Sequence, residues 1–202
     1  MGQQIRSFHN HLGYMAKLTV EDGGLCAGAI YRSARFMEQE QAQRSGRRKR
    51  GGEKVKQTVH IEHTVPIKAL CDQILLGGFT EASLHFWLFK CSVCTALHME
   101  EEKLIGPGRR SHSGALTVGS VEYQRPFMRY ESLFKNGCVV WNVFDGTLVD
   151  PRTFTFDNHF EVVLRVLQEI GATEMYSKLR PAIIQTQDVP VGVAQTPESR
   201  LA

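Results

Sequence analysis

Between Val55 and Ile67 the chain alternates: Val55, Val59, Ile61 and Val65 take odd positions, while Lys56, Thr58, His60 and Glu62 take even ones. A two-residue period predicts a strand, which Pro66 stops from continuing. Other stretches carry the helical period. Residues 14–43 read as helix broken near Gly23-Gly24, with Ala27, Ile30, Tyr31, Ala34 and Met37 on one face. Residues 67–76 read as helix closed by Gly77-Gly78, and Thr80-Glu81 opens another that runs to about Lys90. Cys91 to His98 is apolar and β-prone, and Glu100 to Lys103 begins a short helix. Val139–Val143 and Thr147–Val149 flank Asp145-Gly146 and predict a hairpin. Phe160, Val163, Leu164, Leu167 and Ile170 form the stripe of a helix that Gly171 ends, with Asn158 and Glu161 as its capping box.

These elements predict an α+β fold with N-terminal helices, a small mixed sheet with a hairpin, and a C-terminal helix. Residues 1–185 form a single domain, with a helical part and basic loop over 1–52 and a catalytic core over 53–185. Residues 186–202, polar and holding Pro190 and Pro197, read as a flexible tail.

A chain of 202 residues with 42% hydrophobic and 22% charged content suits one soluble domain. No apolar run reaches the roughly 20 residues of a membrane span. An odd count of cysteines (Cys26, Cys71, Cys91, Cys94, Cys138) without a secretory leader points to reduced thiols in the cytoplasm. The net charge of +3 matters less than its distribution. Arg44, Arg47, Arg48, Lys49, Arg50, Lys54 and Lys56 fall within thirteen residues and are candidate phosphate contacts, or else a solvated surface run. Arg109 and Arg110 sit in a second loop, and Arg125-Pro126-Phe127-Met128-Arg129-Tyr130 joins arginine to aromatics. The plain alternative for that segment packs Phe127 and Tyr130 inward and leaves the arginines in solvent.

Glu62-His63 is the segment richest in chemistry. Hydrolysis of a phosphodiester needs a base for the attacking water, and a neutral imidazole serves near pH 7. It also needs a cation at the phosphate, and a carboxylate such as Glu62 suits Mg²⁺ or Mn²⁺. His60 shares a strand face with Glu62, whereas His63 points to the other face.

Glu62-His63-Thr64-Val65-Pro66 resembles the acidic-His-x-x-Pro element of HNH, or ββα-metal, endonucleases. The resemblance implies His63 as general base and Glu62 at a metal. It also implies a later Asn that orients the base and a later ligand that completes the metal site. Ser83 to Cys94 resembles the family's later segment but holds no Asn, so those roles fall to His98, Asn158 or His159. Each has a structural reading too: Glu62 and His63 as a pair that caps the next helix, Asn158 as a cap, His159 as a surface residue, His98 as a satisfied strand end. Cys91-x-x-Cys94 lacks a second ligand pair, so structural zinc is not expected.

The function expected is a nucleic-acid endonuclease using Mg²⁺ or Mn²⁺, with His63, Glu62, His98 and Asn158 catalytic and Glu62, His60 and His159 at the metal. Arg47, Arg48, Lys49, Arg50, Arg109, Arg110 and Arg129 are its nucleic-acid contacts. The partners implied are DNA first and a second copy of the chain in a homodimer, with no membrane. The alternative is a non-catalytic DNA-binding or interaction protein of phage or mobile-element type.

Overall fold

The computed structural model describes residues 29–39, 58–106, 113–172, 174, 175, 177–179 and 181. The fold is α+β, built on a mixed five-stranded sheet in the order β2-β3-β1-β4-β5. Strand β1 (Tyr31–Ser33) is central, with β3 (Cys94–His98) parallel on one side and β4 (Val140–Asn142) antiparallel on the other. Strand β2 (Val59–His63) pairs antiparallel with β3 and forms one edge. Strand β5 (Thr147–Leu148) pairs with β4 and forms the other.

The predicted helix over 14–43 is overturned where it is described. Tyr31–Ser33 is the middle strand, and only Ala34–Met37, α1, is helical. All three β1 residues are buried, the polar Arg32 and Ser33 included, so the segment lacks the apolar–polar alternation that reveals a strand. Ser33 then caps α1, its Oγ accepting from the Phe36 N–H at 3.1 Å.

After β2 the chain turns at Pro66 into α2 (Ile67–Leu76), whose Leu70 and Ile74 are buried. Helix α3 (Glu81–His85) starts at Thr80, whose side chain accepts from the Ser83 N–H, and runs into a π-helical turn at Phe86–Lys90. The π turn brings Lys90 Nζ to 2.6 Å from Asp157 Oδ1, which ties it to the start of the last helix. Helix α4 (Met99–Leu104) follows β3 directly. A 3₁₀ turn at Pro126–Tyr130 leads into α5 (Glu131–Lys135). The hairpin β4–β5 forms as expected, with Gly146 at φ 66° in its turn.

Helix α6 (Phe156–Glu169) begins four residues before the predicted start. Its cap is Thr155, not Asn158. The Asn158 N–H bonds Thr155 Oγ1 at 3.3 Å and Asn158 Oδ1 accepts the Thr155 N–H at 2.8 Å. The main core lies between the sheet and α6, where Tyr31, Leu97 and Val140 meet Phe127, Phe156, Val163 and Leu167. A smaller cluster on the other side joins Phe36 of α1 to Val59, Cys94 and Ala96.

Candidate functional site at the edge of the sheet

Strand alternation and register decide which groups meet at the β2 edge. Glu62 lies opposite Thr95, and His60 opposite Leu97, so both share the face that bears the main core. Val59, Ile61 and His63 take the other face, with His63 opposite Cys94 and buried. His60 and Glu62 are half-buried because the edge strand leaves them at the margin of that core.

The register also delivers a third group. Val59 pairs with His98, the last residue of β3, and the Met99 N–H bonds the Thr58 carbonyl at 2.8 Å. Helix α4 therefore starts beside the beginning of β2. One turn later Glu102 stands next to His60 and Glu62. One ligand atom from each of these three lies within 4.8 Å of the others, the one group of three or more His, Cys, Asp or Glu found so close among the described residues. His60 Nε2 and Glu62 Oε2 are 3.3 Å apart.

Arg129 fixes Glu62 from behind. Its Nη2 donates to Glu62 Oε1 at 2.5 Å, and its Nη1 donates to the carbonyl of His63 at 2.5 Å and weakly to that of Thr64 at 3.4 Å. The arginine side chain is 4% exposed and that of Glu62 13%. A carboxylate this shielded has its charge balanced by the guanidinium, and one oxygen is turned toward His60.

Glu101, beside Glu102, points inward instead. It accepts the Ser33 hydroxyl at 2.5 Å and the His98 N–H at 2.9 Å, and the Cys138 thiol lies 3.4 Å away. It thereby locks α4 to β1 and β3 and holds Glu102 in place.

The remaining expected site residues go elsewhere. His98 caps α4, its Nδ1 accepting the Glu100 N–H at 3.2 Å, and partial burial followed by the charge of Arg35 holds its pKa below the usual value. Asn158 is exposed and spent on the Thr155 cap. His159 is inside the core, not at a metal. Its Nδ1 is 2.9 Å from the Tyr31 hydroxyl, the ring also hydrogen-bonds the Ser92 backbone, and burial pushes its pKa down to about 3. Arg129, expected to meet nucleic acid, is likewise corrected: it is buried and bound to Glu62 and two carbonyls. Arg47, Arg48, Lys49, Arg50, Arg109 and Arg110 lie outside the described residues, as does the tail. Cys91 and Cys94 sit in two different apolar clusters, and burial raises the Cys91 pKa.

Glu102 was not among the residues expected at the site. The acidic run Glu100-Glu101-Glu102 reads as a helix start, and nothing local separates its inward member from its site member. The signal was the β2–β3 register, which sets His98 opposite Val59 and so starts the helix beside the site.

No described helix is long and apolar enough to cross a membrane. No protein-family model, no curated protein and no solved structure matches the chain.

Proposed function

We propose that this chain is a divalent-cation-dependent endonuclease that hydrolyses phosphodiester bonds in nucleic acid, with the cation held by His60, Glu62 and Glu102. The observation that carries the reading is the convergence of these three side chains from β2 and α4. Two carboxylates and an imidazole are a fitting donor set for such an ion. When bound, the ion supplies a Lewis acid for a phosphodiester oxygen and promotes ionisation of water near neutral pH.

The protein's own contribution is position and charge. Arg129 holds Glu62 Oε1, so Oε2 faces His60 in a fixed geometry. The β2 edge has a strand neighbour on one side only among the described residues. The basic run Arg44 to Lys56 supports nucleic acid as the polymer. His63 stands on the opposite face of β2, so the reading places hydrolysis at the cluster and not at a His63 base.

Nicking of supercoiled plasmid in the presence of Mn²⁺ or Mg²⁺ tests the reading. Glu102→Gln is expected to lower the rate about 10- to 100-fold while leaving DNA binding intact. Cleavage by this variant at the wild-type rate would return the chemistry to His63. Failure to cut DNA or RNA with any divalent ion would make the chain a binding protein without catalysis.

A further inference from the structure

Which cation the edge cluster takes follows from its donors and its charge. This step rests on the reading above for the existence of a cation, but not on any reaction. The donors are one imidazole nitrogen, His60 Nε2, and the carboxylates of Glu62 and Glu102. Mg²⁺ and Ca²⁺ are hard ions that favour oxygen throughout; Mg²⁺ gives up water reluctantly, and Ca²⁺ gathers six to eight oxygens. Imidazole instead suits first-row transition ions.

Arg129 sharpens the choice in two ways. It occupies Glu62 Oε1, so Glu62 offers one oxygen and cannot chelate with two. That removes bidentate chelation by Glu62, a mode that Ca²⁺ sites often use. The arginine also adds a positive charge beside the site, and it is anchored to the carbonyls of His63 and Thr64 and cannot swing away.

We propose that the His60–Glu62–Glu102 cluster is a binding site for a first-row transition divalent ion, selected over Mg²⁺ by the imidazole of His60, with Arg129 limiting Glu62 to one oxygen; Mn²⁺ serves as the spectroscopic probe of this class. The ion takes His60 Nε2, Glu62 Oε2 and an oxygen of Glu102. Its remaining positions belong to water or to an anionic oxygen of the substrate.

The test is direct binding. Full-length protein is titrated with Mn²⁺, the free ion being followed by electron paramagnetic resonance, and bound Mn²⁺ is then challenged with Mg²⁺. One Mn²⁺ per chain is expected, held at least about 10-fold more tightly than Mg²⁺. In His60→Asn, Mn²⁺ affinity should fall about 10- to 100-fold while Mg²⁺ affinity stays nearly constant, so the preference collapses. In Glu102→Gln both affinities should fall. His60 and Glu102 are half-buried, and circular dichroism checks that the variants fold. Pulsed resonance on the wild-type complex needs no variant: a nitrogen coupling from imidazole is expected at the bound Mn²⁺. Equal affinity for Mg²⁺, a preference that survives in His60→Asn, or no nitrogen coupling would overturn the assignment, even if plasmid is cut. Selective Mn²⁺ binding without cleavage of any nucleic acid would uphold the site and sink the nuclease. Absence of Mn²⁺ binding would overturn the assignment, and absence of cleavage with every divalent ion would overturn the nuclease.

Discussion

The two edges of the sheet each carry an arginine–carboxylate pair, and the two are built differently. At the hairpin edge, Arg165 of α6 places Nη1 on Asp145 Oδ1 and Nη2 on Oδ2, both at 2.6 Å. Asn142 adds a third donor to Oδ2 at 2.6 Å, and the guanidinium lies 5.8 Å from the Phe144 ring centroid. Both oxygens of Asp145 are consumed, so the group is a staple between hairpin and helix. At the β2 edge the Arg129 fork is split. One arm holds a single oxygen of Glu62 and the other holds backbone. Glu62 is thus oriented without being used up, and its second oxygen faces His60 and Glu102. The same pairing of arginine with a carboxylate consumes both oxygens in one case and leaves one oxygen outside the fork in the other; the geometry of the fork makes the difference.

Burial separates the two pairs in energy, and the largest expected effect lies at β2. Arg129 is 4% exposed, and its removal leaves Glu62 with an uncompensated charge and the His63 carbonyl without its donor. Arg129→Leu should cost about 3–5 kcal/mol. Urea unfolding reads this as a lower midpoint at unchanged slope. Adding Glu62→Leu in the same chain should recover part of the loss, because no charge is then stranded. A cost below about 1 kcal/mol would erase the distinction between the edges.

The sequence reading did well where one element answers to its own pattern. Helix 67–76 matches α2, because its apolar spacing and the Gly77 stop are local. The hairpin follows from Asp145-Gly146, and β2 from the alternation around His60 and Glu62. It failed where a residue is defined by a distant partner. Tyr31–Ser33 is buried on both faces, so three- and four-residue spacing looked helical there. Arg129 looked like a surface cation because its carboxylate is 67 positions away. Glu102 needed a strand register that no short window contains. Asn158 has the look of a cap because it precedes the strongest apolar stripe, whereas Thr155 begins the helix one turn earlier and Phe156 is buried. At the site, the strand face shared by His60 and Glu62 was legible; the helix that completes it was not.

Between the two edges lies His159, bonded to Tyr31 in the middle of the sheet, and it predicts an acid limb of intermediate size. Burial lowers its folded-state pKa to about 3, against roughly 6.5 in the unfolded chain. The unfolded state therefore binds the extra proton between these values, and stability falls as pH drops through that window. The slope is about 1.4 kcal/mol per pH unit, or about 3 kcal/mol lost by pH 4.5. Above pH 7 the residue contributes no pH dependence. His159→Gln should be less stable at neutral pH, through its weaker fit to Tyr31, yet show a flatter decline from pH 6.5 to 4.5. Equal slopes in wild type and variant would mean that His159 is protonated in the folded protein.

The smallest effect belongs to the hairpin edge. The Arg165 side chain is 49% exposed, so water and salt screen its attraction to Asp145, and the hydrogen bonds formed replace good ones to solvent. The Asp145 interaction raises the arginine's pKa, but that group is charged throughout the physiological range, so the shift confers no pH dependence. Arg165→Ala should cost about 1 kcal/mol or less, and part of that is lost packing over Phe144. The electrostatic share should fade between low salt and 1 M NaCl, where the screening length is about 3 Å. The Arg129 pair, shielded from solvent, should show little such fading. A thermal melt series in salt for Arg165→Ala and Arg129→Leu reads both behaviours at once. If the hairpin pair proved as costly to remove and as insensitive to salt as the β2 pair, burial would not be what distinguishes the two edges. The difference between the closed fork at Asp145 and the split fork at Glu62 would then rest on geometry alone.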